Sequence, residues 1–430
     1  MKLGTKILLG VLGLGVLTCG GVIVTGFLVA REVVDWEPAA AELPKAKADY
    51  LAAGFVWTAK DLPQPSGGKD AEPTLRKAAA AFDGEAWKKV AVALRKDPSR
   101  EGLAPFQRSI DLAFQASQAD RWSPKRDWDL GTHLLFPELA KVRQLCQALA
   151  TRAMLKAREG DGTAAKLDLE AGFRLARMMD DQASLLPYLS QAAALSLLRD
   201  AVCRSAAFTD EKGRKALASL RDAPDDFRDF ERVMKYEAYT GLATYRNLYT
   251  LDANTVKIDP NKVIRKGSPG ITPQRALISR HLQMWLEIDE RMEANRKDPL
   301  SLSKSLRQWD QEMQKRQGFS QKLNKTMSPA LVDATDVLLQ REAKRRITHL
   351  YLQALLYRDK TGGPPNSLAD LPGERKDPFG SELRYEREAD GFRIWSIGRD
   401  QRDSGGATKA EDPNSDDATA SYPPERKRAP

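Results

Sequence analysis

Glu237 is where this sequence first invites a chemical reading. Phe227, Phe230, Met234, Glu237, Gly241 and Tyr245 follow one another in steps of three and four. That spacing predicts a helix near 225–249 with a carboxyl group on its apolar face. A carboxylate moved out of water must meet a cation or hydrogen-bond donors, or take up a proton. Glu237 is therefore a candidate general acid or internal ion ligand. The plainer expectation is a structural hydrogen bond or ion pair, with a Tyr hydroxyl or an Arg. His133, His281 and His349 stand far apart, and each reads as structural or exposed. HExxH, GxSxG and the P-loop pattern do not occur. The run "GDGTAA" at 160–165 has dinucleotide-fingerprint spacing, but it follows a helical pattern instead of a strand. No stretch names a reaction.

Cys19, Cys146 and Cys203 form no CxxC pair, so a zinc knuckle or disulfide framework is excluded. Cys146 and Cys203 lie among apolar helical residues and read as small core side chains. Their pairing in an oxidising compartment stays open at this level. Trp122 and Trp128 are candidates for lining a sugar site, but core packing accounts for such side chains more simply. Hydrophobic residues make up 42% and charged residues 30% of the chain, a mix that buries a core and argues against wholesale disorder. The net charge is +9, yet basic and acidic residues interleave almost throughout. The one compact basic run is Arg426-Lys427-Arg428, so a nucleic-acid partner is not expected.

The elements that would position these groups begin with an anchor. Ile7 to Ala30 carries no charge for 24 positions. As a helix it would span roughly 36 Å, against about 30 Å for a bilayer core. Lys2 and Lys6 precede it, and Arg31, Glu32, Asp35 and Glu37 follow with a net negative sum. The positive-inside bias puts residues 1–6 in the cytoplasm and the bulk of the chain outside it. The expected location is thus the inner membrane, single-pass, with a periplasmic body. A cleaved signal peptide would have a shorter apolar core. Thr18 before Cys19 does not suit a lipoprotein, and no glutamate follows at the prepilin position.

Residues 31–72 read as a tether punctuated by Pro38, Pro44, Pro63, Pro65, Gly67 and Gly68. Tyr50, Phe55 and Trp57 predict that part of it packs on the body. Residues 73–327 read as a helical body of antiparallel hairpins. Leu139, Val142, Leu145, Cys146, Leu149, Ala153 and Ala157 make one helical face, and "REGDG" at 158–162 breaks it. The next helix carries Ala165, Leu169 and Leu175. This pair resembles a single tetratricopeptide unit, although Lys156 and Arg177 depart from that pattern and no second copy follows. A generic helical hairpin is expected, then an apolar helix near 184–207. Residues 251–272 read as a loop, with Thr272 and Pro273 opening another helix.

Val332, Leu339, Ala343, Ile347, Leu350, Ala354 and Tyr357 predict a long helix near 328–358, with Thr335 as the polar member of its stripe. Gly362-Gly363-Pro364-Pro365 ends it. "DPFG" at 377–380 comes next, followed by alternation over 382–386 and 392–397 around Asp390-Gly391, a hairpin signal. A loop crowded with Asp and Gly closes the segment. The fold class expected is mainly α, with a small C-terminal α+β unit at 328–406 and a disordered tail at 407–430.

Tyr357, Gly362, the prolines after it, Asp377 to Gly380, Leu383 to Tyr385 and Phe392 to Gly406 together resemble the C-terminal part of the major pseudopilin of type II secretion systems. The likeness covers about 65 residues. The overall layout resembles membrane-anchored envelope proteins of planctomycete-like bacteria. In pseudopilins the Asp/Gly loop after the last strand binds calcium. The resemblance implies the same for Asp400 and Asp403, with Asp412, Asp416 and Asp417 as later carboxylates. Calcium takes six to eight oxygens, which Gly-rich turns and Asp side chains can supply. Arg399 and Arg402 intrude on such a site. Filament formation is not implied, because some 300 residues separate anchor and ending. The expectation for function is a membrane-anchored, extracytoplasmic, non-enzymatic protein that binds envelope or secretion-related partners. The rival is an extracytoplasmic hydrolase using a buried carboxylate in a helical cleft.

Overall fold

A computed structural model describes residues 36–63, 65, 67–220, 222, 227–247, 271–316, 319–389, 391–407, 412 and 415–423. The expected membrane span 7–30, Cys19, most of the 251–272 loop, Asp390 and the basic run 426–428 lie outside them. Among the described residues no helix is long and apolar enough to cross a membrane.

The body is helical to Thr361. In chain order the helices are α1 (Trp36–Ala41), α2 (Leu43–Ala52), α3 (Glu72–Ala81), α4 (Gly84–Lys96), α5 (Arg100–Leu103), α6 (Gln107–Ala116) and α7 (Leu139–Arg158). They continue as α8 (Gly162–Met178), α9 (Leu185–Phe208), α10 (Glu211–Ala218), α11 (Phe227–Asn247), α12 (Ile271–Ala294), α13 (Pro299–Lys315) and α14 (Phe319–Thr361). Their starts follow capping chemistry. Asp83, Asp161, Asp210 and Asp298 each accept backbone N–H groups at the first turns of α4, α8, α10 and α13. Helices α7 and α8 form the expected hairpin, closed through Gly160 at φ +87°.

Two large apolar cores result among the described residues. The first gathers α3 to α10 around Trp87, Phe106, Leu145, Leu169 and Leu198. The second gathers α2, α11, α12 and α13 around Tyr50, Phe230, Tyr239, Trp285 and Trp309. Helix α14 serves both. Leu331, Val332, Ala334 and Leu338 lie in the second core, whereas Ile347, Leu350, Tyr351, Ala354 and Leu355 lie in the first. At about 1.5 Å per residue its 43 residues run roughly 65 Å. Thr335 is fully buried on it and donates its hydroxyl to the Val332 carbonyl at 2.7 Å. The stretch read as a tether contributes α1 and α2, and Tyr50, Phe55 and Leu62 are buried in the second core.

After Gly362 the chain forms a three-stranded antiparallel sheet in the order β1-β2-β3: β1 (Arg384–Arg387), β2 (Phe392–Ser396) and β3 (Ala418–Tyr422). Tyr385 pairs with Ile394 and Phe392 with Tyr422. Phe392 lies between the Tyr385 and Tyr422 rings, at 6.3 and 6.0 Å, and packs on Tyr351 of α14. Strand β3 places Ala418–Tyr422 in the sheet, within the stretch 407–430 read as a disordered tail. Its Ala-Thr-Ala-Ser-Tyr sequence has almost no hydrophobic signal of its own and is ordered by pairing with β2.

Candidate functional site

Where the sheet meets the body, a groove of about 780 Å³ opens. That is within the usual range for binding sites, about 300–1,000 Å³. One wall is helical: Val92, Arg95 and Lys96 come from the last turns of α4, and Ala193, Ser196, Leu197 and Asp200 from α9. The other wall is the chain from Asp416 to Ser421, which includes most of β3. Lys344 of α14 joins the two walls. Its ammonium pairs with Asp200 at 2.5 Å and donates to the Thr419 carbonyl at 3.4 Å. Burial acts to lower its pKa, but Asp200 holds it above the ordinary lysine value. Val92 is 58% exposed on the helical wall. Cys203 also lines the groove, and burial pushes its thiol up to about 12, so it is no nucleophile near neutral pH. The arrangement offers small side chains, a cationic rim and a strand. That is suited to holding a polymer segment.

Of the five aspartates of the Asp/Gly loop, Asp403 reaches the sheet itself. Asp403 accepts the Trp395 indole N–H and the Gly405 N–H, both at 2.9 Å, and faces Arg384 at 3.3 Å. Burial works against its charge, but these donors pull its carboxyl below the ordinary value. Asp417 accepts the Ser404 and Gly406 N–H groups, and burial raises its pKa. Asp416 pairs with Arg399 at 3.2 Å. Asp400 accepts the N–H of Arg402, and the Asp412 carbonyl accepts that of Ser415. Among the described residues no group of three or more His, Cys, Asp or Glu side chains is placed to hold a metal ion. Gly406 lets the loop lie on β2. Gly406, at φ +69°, sits so close to Trp395 and Arg393 that a Cβ there would fall 2.8–3.1 Å from their side chains.

Glu237 has a structural post in this fold. Its Oε2 accepts the Leu185 N–H at 3.1 Å and the Ser184 hydroxyl at 3.2 Å. The first N–H groups of α9 have no partner within their own helix, and Ser184 makes no side-chain cap. A carboxylate from α11 caps α9 instead. Burial raises the Glu237 pKa. A carboxyl whose folded pKa is raised contributes stability that is full below the unfolded value and is lost as pH rises through the folded one. Glu237→Gln keeps an acceptor for Leu185 and cannot ionise. Urea midpoints measured from pH 4 to pH 8 are expected to fall less steeply with rising pH in Glu237→Gln than in wild type. Parallel curves would show that Glu237 does not titrate in that window.

His281 is fully buried, with Nε2 2.9 Å from the Ala238 carbonyl oxygen, and burial lowers its pKa to about 4. Gly241 makes room for it, since a Cβ there would lie 2.3 Å from the imidazole Cε1. His349 is also lowered by burial, and His133 is exposed. The structure does not bring the three histidines into one site. Cys146 and Cys203 are buried free thiols. Trp122 and Trp128 are buried. The first donates to Glu72 at 2.7 Å and the second packs edge-on to Tyr236.

Lys344, Asp200 and the α4 cations escaped the sequence reading, because nothing local marks residues more than 100 positions apart as one groove. Two buried carboxylates escaped it as well. Asp168 is fully enclosed between Arg152 and Lys156, and Asp377 between the "DPFG" turn and the end of β2. Comparison with protein-family models, with curated proteins and with solved structures finds no match.

Proposed function

We propose that this chain is a membrane-anchored, extracytoplasmic component of the cell envelope that binds another protein, without catalysing a reaction, and that its C-terminal unit is a pseudopilin-like module. The groove between α4, α9 and β3 carries the reading. Its walls are a helix face and a strand, surfaces that recognise polypeptide through backbone hydrogen bonds and shallow side-chain contacts. The uncharged stretch 7–30 supplies the anchor, with its basic side in the cytoplasm. The order of long helix, Gly-Pro break, "DPFG" turn and antiparallel strands supports the likeness to secretion pseudopilins. Crosslinking in intact membranes, followed by purification and mass spectrometry, tests the reading. The expected result is a discrete envelope protein crosslinked to residues of the groove, with the full chain in the membrane fraction. Recovery of the intact chain in the soluble fraction, or of no partner, would overturn it.

A further inference from the structure

Among the described residues strand β3 lies at an edge of the sheet, and the sheet's alternation shows which of its hydrogen-bonding positions face outward. The Glu388 N–H donates to the Gly391 carbonyl, so Gly391 faces β1. Phe392, Ile394 and Ser396 therefore face β3, and their partners Tyr422, Ala420 and Ala418 face back. Thr419 and Ser421 must then turn their backbone N–H and C=O groups away from the sheet. The Thr419 carbonyl meets Lys344, which lines the groove, so this free edge opens into it. The backbone N–H and C=O of Ser421 make no hydrogen bond among the described residues.

Sheet proteins usually guard such an edge with charged side chains, proline or a covering loop. Ala418–Tyr422 carries no charge, and its inner residues are small. Across the groove stand exposed Val92 and the small residues Ala193 and Ser196. The charges are uneven. Asp200 is paired with Lys344, Asp416 with Arg399, and Asp417 with two backbone amides. Arg95 and Lys96, both exposed at the rim, form no ion pair among the described residues. The unbalanced charge of the groove is positive.

We propose that the β3 edge binds an extended, acidic segment of a partner protein by strand addition. The segment hydrogen-bonds to Ser421 and to the Thr419 N–H, lays apolar side chains against Val92, and places carboxylates near Arg95 and Lys96. The proposal rests on the protein-binding role above and names the chemistry of the partner.

Random heptapeptides displayed on phage and selected against the full chain in nanodiscs provide the test. Acidic, β-forming sequences are expected to be enriched. Their synthetic versions should bind Ser421→Pro at least tenfold more weakly, because proline removes an outward amide and leaves the β2 pairing intact. Arg95→Glu with Lys96→Glu should weaken binding about tenfold, as expected for reversing two rim charges. Val92→Glu, at an exposed helical position away from the sheet, keeps the test decisive should Ser421→Pro unfold β3. No enrichment, enrichment of basic peptides, or equal binding to Ser421→Pro and Val92→Glu would overturn the proposal. A dimer seen by ultracentrifugation and split by Ser421→Pro would assign the edge to a second copy of this chain and overturn it equally. A crosslinked partner that Ser421→Pro leaves untouched sinks the edge but not the protein-binding role. Loss of every crosslinked partner with peptide binding intact does the reverse.

Discussion

Asp377→Ala is expected to cost about 4 kcal/mol, since it leaves three buried donors unsatisfied at about 1–3 kcal/mol each. Asp377 has no exposed surface. Its Oδ1 accepts the Phe379 N–H and the Ser396 hydroxyl, each at 3.0 Å, and its Oδ2 accepts the Ile397 N–H at 3.2 Å. One carboxylate thus closes the "DPFG" turn and fastens it to the end of β2. Phe379 in that turn packs on Leu339 and Ala343, so the same turn fastens the sheet to α14. Alanine leaves two N–H groups and a hydroxyl buried without an acceptor. Asparagine is no rescue, because its amide NH₂ must face a donor. Hydrogen exchange should show protection lost over 392–397 and 377–381, and urea unfolding should shift to match. A loss under 1 kcal/mol, with those amides still protected, would show that solvent or rearranged backbone replaces the carboxylate.

Asp168→Ala is expected to cost about 3–5 kcal/mol, the range for breaking a buried ion pair by removing one partner. Asp168 has no exposed surface. It accepts two parallel bonds from Arg152 at 2.7 and 2.9 Å, and one from Lys156 at 2.7 Å. Arg152 also reaches Asp111 of α6 at 2.6 Å, so the cluster ties α6, α7 and α8 together. Alanine takes the carboxylate from Lys156 and leaves Arg152 with Asp111 alone. Urea denaturation should show the loss, and the double variant Arg152→Met with Asp168→Leu should recover much of it, because apolar replacements of buried pairs are often neutral or better. A double variant as unstable as the single would mean that the charges position the hairpin as well as neutralise each other.

How much was legible follows from the distance over which each feature is determined. The stripe from Val332 to Ala354 revealed α14, because a helix buries residues at fixed local spacing. Gly362 to Pro365 revealed its end. Asp390-Gly391, between two alternating runs, indicated the pairing of β1 with β2. Helix α14 proved longer than its stripe. Over 328–358 one regular pattern also hid a division between two cores, since periodicity says which face is buried and not what covers it. Strand β3 was invisible because a strand of small residues is defined by its partner.

The candidate site was less legible than the fold. Glu237 could be singled out as a carboxyl on an apolar face, but its role depended on α9 ending against it. The Asp/Gly loop read as an ion site, since turns that present carboxylates to calcium and turns that present them to backbone amides have the same composition. In the fold, Asp403 accepts from Trp395 and Gly405, and Asp417 from Ser404 and Gly406.

Short-range chemistry, then, was determined by the sequence alone: which segments coil, where Gly and Pro stop them, which Asp residues cap them, and that one uncharged stretch is long enough to span a bilayer. Tertiary structure decided what each polar side chain does. It set Glu237 under α9, Asp377 beneath β2, and Lys344 between Asp200 and Thr419. The physical reason is that a buried polar group must find a partner, and the choice among partners is made by whichever distant element packs beside it.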